Sequence, residues 1–519
     1  MRRTESITGR KHRSCERSRC NDRRGRRHTD ALEDGMKRYD VIVVGGGPGG
    51  LAAAASAVEA GGIVLLIESL DTLGGNASHS TGYLVMVGTA LQRQHQVSDS
   101  VADFMADGER QIRLELENGP MIWDRELTEL YARESAATYD ELTAMGVRFS
   151  RLLAKPSQHR NDRMHALEDP AQLGAAYAAR LETLGVEVLY NTDVTRLITT
   201  EGRATGVAFE TRGAGGSPRT GSAGAQRGVI LATGGYQGSY ELRRRHQKAE
   251  EINGYLSGVR SCRGMGHVLG AAMGGDLINM DYIQPMIVIP SLLAEDAIAV
   301  NRAGERFHDE TGKYGDRVKG LAAQPGGTGH YIIDAATFRT KSALVATMPE
   351  PPIEAPTLSA LAEAIDCDPA TLQTTVKTWN GFLAGGAQTD PVTGRTILPK
   401  GRRPLRDAPF YALRMVRATT FTWGGFAVTR DMQVVDVMGD PVDGLFAVGD
   451  TTGGINVISG MGGTHIASAL VQGRLAGRAA VAGPSALPHL TAPAQSRPFE
   501  AKTLPKMVLF DLNTPEPDR

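Results

Sequence analysis

Residues 38 to 69 read RYDVIVVGGGPGGLAAAASAVEAGGIVLLIES, and no other stretch limits the fold of this chain as tightly. Tyr39 to Val44 is an apolar run of buried-strand length, after which Gly45, Gly47 and Gly50 fall at G-x-G-x-x-G spacing before an alanine-rich helical pattern. The first glycine permits a tight turn, the second lets backbone approach a pyrophosphate, and the third lets the helix pack on the strand. The N-terminus of that helix, around Gly49, offers N–H donors to an anion. A second apolar run, Ile63 to Ile67, ends in Glu68, about 20 residues on, where an acidic side chain can accept ribose hydroxyls. A glycine triplet alone is compatible with a merely tight strand-to-helix turn. The complete unit of strand, turn, helix, strand and terminal acid points to a bound dinucleotide.

With 519 residues the chain exceeds one core and suggests two domains plus tails, and 41% hydrophobic and 22% charged residues is ordinary globular composition. A formal net charge of -1 gives no reason to expect nucleic acid as a partner, and no apolar run approaches the roughly 20 residues of a membrane span. Cys15, Cys20, Cys262 and Cys367 show no C-x-x-C spacing, which argues against a disulfide framework or a metal centre and fits a cytoplasmic setting. Residues 1–35 are arginine-rich and nearly without apolar side chains; they read as a disordered basic tail, with the folded chain expected from Met36. Residues 484–519 are proline-dotted and read as a C-terminal tail.

Two further blocks carry nucleotide-domain punctuation. GVILATGGY (Gly228 to Tyr236) is an apolar strand closing on Thr233-Gly234, and GLFAVGD (Gly444 to Asp450) is another, ending in Asp450. Asp450, after such a strand, is well placed to accept a hydroxyl of the cofactor, although an isolated aspartate there is more often a helix cap or turn residue. A helix is expected near Gly460 to Gly477, its glycine-rich start leaving backbone N–H groups bare. The fold class that follows is α/β: a Rossmann-like nucleotide domain in two parts, 36–253 and 406–483, interrupted by an α+β capping or substrate domain over 254–405.

Taken in order, these motifs resemble the FAD-binding fumarate reductase and succinate dehydrogenase flavoproteins, a family that includes soluble fumarate reductases and 3-ketosteroid dehydrogenases. LGGNASHSTGYL looks like its Gly-Gly-Asn segment, VNRAGERFHDE like its capping-domain signature, and GLFAVGDTTGGINVISGMGG like its C-terminal flavin loop. The resemblance runs from about Arg38 to Gly483. It implies FAD as cofactor and a small-molecule substrate roofed by the inserted domain. It implies cofactor contacts at Gly74, Gly75, Asn76, Ser80 and Gly82, at Val194, Thr233 and Gly234, and at Asp450, Gly463 and Thr464, beside those of the first loop. Ala77 occupies the position where complexed members tether flavin through histidine, and His79 lies two residues beyond it, so noncovalent FAD is expected.

The resemblance breaks where soluble fumarate reductases carry two histidines and two arginines for a dicarboxylate. Those positions hold Met286, Phe421, Tyr314 and Gly460. Desolvating a carboxylate without a cationic partner costs several kcal/mol per charge, which disfavours fumarate or succinate. Ketosteroid dehydrogenases similarly place a tyrosine after the Arg-Phe signature, so Tyr314 is the expected proton-transfer residue, with His465 a second candidate. Tyr83 and Trp423 are expected to wall the substrate site, and Arg306 with Glu310 to form a structural ion pair. Gly264 to Gly270 imitates a phosphate loop without a preceding strand and reads as a helix start. The expected enzyme is an FAD-dependent oxidoreductase acting on a carbon–carbon bond next to a carbonyl, with an unidentified external electron donor or acceptor. The alternatives are reduction of an unsaturated acid, and an FAD-binding relay or assembly subunit without turnover of its own.

Overall fold

The computed structural model describes residues 36–115, 121–153, 159–213, 217–247, 255–256 and 261–484; the expected tails at 1–35 and beyond residue 484 lie outside them. Strand β1 (Lys37–Val44), helix α1 (Pro48–Glu59) and strand β2 (Val64–Ile67) form the unit expected from the glycine motif. β1 and β2 run parallel with Val41 opposite Val64, and Val41, Ile42 and Val43 are wholly buried, as a strand covered on both faces requires. Gly45 ends β1 at φ 110°, and a Cβ there would sit 2.3 Å from the Ala232 carbonyl oxygen, so the turn demands glycine. The same half contributes β3 (Glu187–Leu189), β4 (Thr192–Thr200), β5 (Arg203–Thr211) and β6 (Arg219–Leu231).

The insertion is built on a four-stranded antiparallel sheet of β7 (Ile298–Val300), β8 (His330–Asp334), β9 (Ile353–Ala355) and β10 (Phe410–Arg414). β10 lies beyond residue 405, where the sequence suggested that the insertion ends, because its edges pair with β8 and β9 and not with the nucleotide sheet. The helix start expected over Gly264 to Gly270 is present as Met265–Ala271, capped by Gly264. Antiparallel strands Ile283–Ile287 and Arg417–Thr422 link the insertion to the nucleotide domain.

The chain returns through β11 (Gln433–Val435), β12 (Pro441–Ala447) and helix α2 (Thr464–Ala482). The helix expected from Gly460 starts at Thr464, since Asn456–Met461 forms a separate 3-10 turn. The nucleotide sheet runs in the order β11-β12-β6-β1-β2-β3, with β5 and β4 continuing antiparallel from β6. The five strands from β12 to β3 are parallel, so their C-terminal ends share one edge, where ligands of such sheets bind.

The insertion's core is organised by an ionic cluster. Buried Glu310 accepts from Arg306 Nε at 2.9 Å and Nη2 at 2.8 Å, from Arg395 Nη1 at 2.9 Å and from the Ala299 N–H at 2.8 Å. Both guanidinium groups lie over Trp379, at 4.4 and 5.0 Å from its ring. Burial alone would raise the Glu310 pKa, but the two arginines and the backbone donor outweigh it and hold it at about 2. A depressed carboxylate stabilises the fold above its unfolded pKa of about 4.3, and that contribution is lost as pH falls toward 2. Glu310→Ala leaves Arg395 without its carboxylate and is expected to cost about 3–5 kcal/mol at pH 7, read by urea denaturation. A loss under about 1 kcal/mol would show that the cluster is not what holds the insertion together.

Candidate functional site

A cavity of about 670 Å³ opens at the C-terminal edge of the parallel strands. At one end it meets the N-terminus of α1, whose cap residue Gly47 is extended and whose first turn receives no side-chain cap. A Cβ on Gly47 would meet nothing within 4 Å, so open space lies before those N–H groups. Gly50 must stay bare because a Cβ would lie 1.9 Å from the Gly45 carbonyl oxygen, and a Cβ on Gly49 would lie 3.0 Å from a methyl of Val448. This is a cradle shaped for a group brought close to backbone, with donors waiting. Glu68, at the end of β2, is buried; Oε2 accepts from the Gly46 N–H at 2.6 Å and Oε1 from the Leu70 N–H at 2.8 Å. Its carboxylate is thereby locked to the glycine loop.

From these elements Gly45, Gly47, Gly49, Glu68, Gly75, Asn76, Ser80, Val194, Thr233, Gly234, Asp450 and Gly463 all line one cavity. Gly50, Gly74, Gly82 and Thr464 stand behind the wall: Gly74 takes φ 113° and Gly82 φ 72°, shaping the turns that carry their neighbours. Ala77 and His79 both line the cavity.

At the other end the insertion closes over the cavity with Met286, Val288, Ile289, Pro290, Leu344 and Thr347, while Tyr83, Phe421 and His465 face them from the nucleotide domain and the linking strand. His465, in the first turn of α2, places Nδ1 2.6 Å from Asp450 Oδ1, and its ring lies 4.0 Å from that of Phe421. His465 Nε2 is buried without a hydrogen-bond partner. Trp423 and Gly460 do not reach the cavity; Trp423 is buried and stacks on Tyr282 at 6.3 Å, and Gly460 lies within the turn before α2. Tyr314 opens the helix Tyr314–Ala322, and its side chain lies outside the described residues.

Several wall residues were not foreseen: Asp193, Cys262, Arg263, Leu344 and Thr347. Arg263 Nη2 donates to Asp193 Oδ1 at 2.8 Å, joining the start of β4 to the beginning of the insertion. Burial pushes the Cys262 thiol up to about 12 and keeps it protonated. Among the described residues no cluster of metal-ligating side chains occurs, and no helix is long and apolar enough to cross a membrane.

The family of FAD binding domains matches residues 40–466. The chain belongs to this family. It is an FAD-dependent oxidoreductase of the class that acts on CH–CH groups. The bare Gly47 cradle and the Glu68 carboxylate fit the cofactor's pyrophosphate and ribose by their chemistry. The chain is 27% identical over 468 residues to a fumarate reductase (cytochrome) of Shewanella frigidimarina, covering 85% of this chain and 76% of that protein. The open conformation of a flavocytochrome c3 fumarate reductase superposes with a TM-score of 0.73 at 26% identity, covering 88% of this chain and 81% of the other. A 3-ketosteroid-Δ4-(5α)-dehydrogenase from Rhodococcus jostii, solved with 4-androstene-3,17-dione, gives a TM-score of 0.66 at 25% identity, covering 86% of this chain and 97% of the other.

Removing the Glu68 carboxylate deletes the expected ribose acceptor and frees the Gly46 and Leu70 N–H groups that it holds. Glu68→Ala is expected to weaken FAD binding by at least ~10-fold, since charge-assisted hydrogen bonds contribute about 1.5–3 kcal/mol each. Calorimetric titration of the apoprotein with FAD checks this, and unchanged affinity would contradict the assignment of the first loop.

Proposed function

We propose that the enzyme oxidises or reduces a carbon–carbon bond next to a carbonyl in an uncharged organic substrate, cyclic or steroid-like, with FAD held noncovalently. The observation that carries this reading is the character of the wall away from the nucleotide cradle. Met286, Val288, Ile289, Pro290, Leu344 and Phe421 are apolar, and Arg263, the arginine among the described lining residues, is already paired with Asp193. A carboxylate entering here would lose its water without gaining a cationic partner, whereas a ketone loses much less.

When bound, FAD supplies hydride acceptance or donation at the carbon–carbon bond. The chain's own residues supply the rest. The insertion's apolar residues exclude water and orient the substrate by contact. Tyr314 is assigned the proton at the carbon next to the carbonyl; its phenol, with a reference pKa near 10, can donate directly and would need lowering to act as a base. An external redox partner sets the direction.

A second reading, reduction of an unsaturated acid, is supported by the likeness to proteins named fumarate reductases. It would require a cation at the substrate end, and the residues at the corresponding positions, Met286, Phe421 and Gly460, provide none.

Anaerobic holoprotein mixed with a panel of ketones, steroids and cyclic acids is expected to bleach with members of the uncharged set. With the best of these, Tyr314→Phe is expected to keep its flavin and its substrate-induced spectral change while the rate in stopped flow falls by ~10²–10⁴. Wild-type rates in the variant would remove Tyr314 from the chemistry, and bleaching by no carbonyl compound would remove the reaction class.

A further inference from the structure

We propose that His465 is a positioning residue that aims the Asp450 carboxylate at the cofactor, and not a proton-transfer residue. The inference rests on reading Asp450 as an acceptor for a hydroxyl of the FAD ribitol chain. A carboxylate only accepts hydrogen bonds, so at 2.6 Å from Oδ1 the Nδ1 atom of His465 carries the proton and donates. Asp450 Oδ2 takes no hydrogen bond from the described residues, and Asp450 lines the cavity. One oxygen is therefore fixed by the protein and the other is left for a ligand.

The far nitrogen of the ring decides which partner serves which. In a hydrolytic triad, a carboxylate orients a histidine whose far nitrogen meets the substrate. Here Nε2 is buried and unpartnered, and Phe421 lies 4.0 Å from the imidazole. Nε2 has no group among the described residues to take a proton from it or return one, so the ring stands at the end of no proton relay. The pair works in the opposite sense, with the histidine orienting the acid.

The helix carrying His465 fixes the backbone under Asp450 as well. Gln472, seven residues along and so on the same face of α2, accepts from the Gly449 N–H at 2.9 Å and from Thr452 Oγ1 at 3.0 Å. The turn Gly449–Thr451 is thus fastened to α2 on both sides of Asp450, and His465 adds the side-chain restraint. The same helix begins at an uncapped Gly463 on the cavity wall, so one rigid element sets both the backbone donors and the acid.

Full-length holoprotein variants, with FAD release on dilution followed by flavin fluorescence, test this. His465→Leu is expected to raise the FAD dissociation constant about ten-fold. His465→Asn, whose amide can place an N–H near the position of Nδ1, is expected to recover most of the loss. Asp450→Ala is expected to weaken binding, and the double variant Asp450→Ala/His465→Leu to bind no more weakly than Asp450→Ala alone, because the histidine acts through the acid. Wild-type affinity in His465→Leu beside a weakened Asp450→Ala would overturn the proposal and leave the Asp450 assignment standing. Fully additive losses would reduce His465 to helix-start packing, and wild-type affinity in Asp450→Ala would remove both assignments.

Discussion

Everything at this site depends on how closely α2 lies against α1. A Cβ on Gly473 would sit 2.1 Å from the Gly49 carbonyl oxygen, and one on Gly477 would sit 2.3 Å from that of Ala53. Only glycine allows this approach, and the partner surface is the small-residue face of α1, with Ala52, Ala53 and Ala57 buried. Two helices far apart in sequence are thereby fixed at one spacing. Their uncapped N-termini, at Gly47 and Gly463, both border a single cavity. The contact also carries Asp450 into place, because the turn that bears it is fastened to α2.

That constraint explains what the insertion can do. The insertion is tied to the cofactor cavity by a two-strand ladder, Ile283–Ile287 against Arg417–Thr422, that delivers Met286 and Phe421 from opposite strands. The Arg306–Glu310–Arg395 cluster is enclosed within the insertion, while Met286, Val288, Ile289, Pro290 and Leu344 give the cavity an apolar wall, with Ser261, the paired Arg263 and Thr347 as its polar members. Charge is concentrated at the nucleotide end and removed from the substrate end. Such a division suits a charged cofactor and a neutral substrate in one enclosed space.

The nucleotide half was legible in the sequence because its determinants are local. The strand, the Gly45 turn, the bare Gly47 and the acid at Glu68 follow one another within thirty residues, and each has one physical use. The Arg306–Glu310 pair was legible for the same reason, being four residues apart within one short signature. Boundaries and walls were not. β10 belongs to the insertion through its pairing with β8, a relation that no local pattern displays. Trp423 was expected at the substrate wall, yet it turns inward to stack on Tyr282. The Arg263–Asp193 pair and the shutting of His465 Nε2 by its surroundings are tertiary facts, invisible until the sheet and the insertion meet.

An apolar wall without a free cation among its described residues is expected to make the substrate end of the cavity select against charge. The most direct test is a matched pair of cyclic enones of equal size, differing by one carboxylate, each titrated into the photoreduced holoprotein without oxygen while flavin reoxidation is followed. The neutral enone is expected to reoxidise the flavin, and the carboxylate analogue to do so at least ~100-fold less efficiently, as the desolvation of an unpaired charge requires. Equal or faster reoxidation by the carboxylate would place an unpaired cation at the substrate end and show that this wall does not select for neutral substrates.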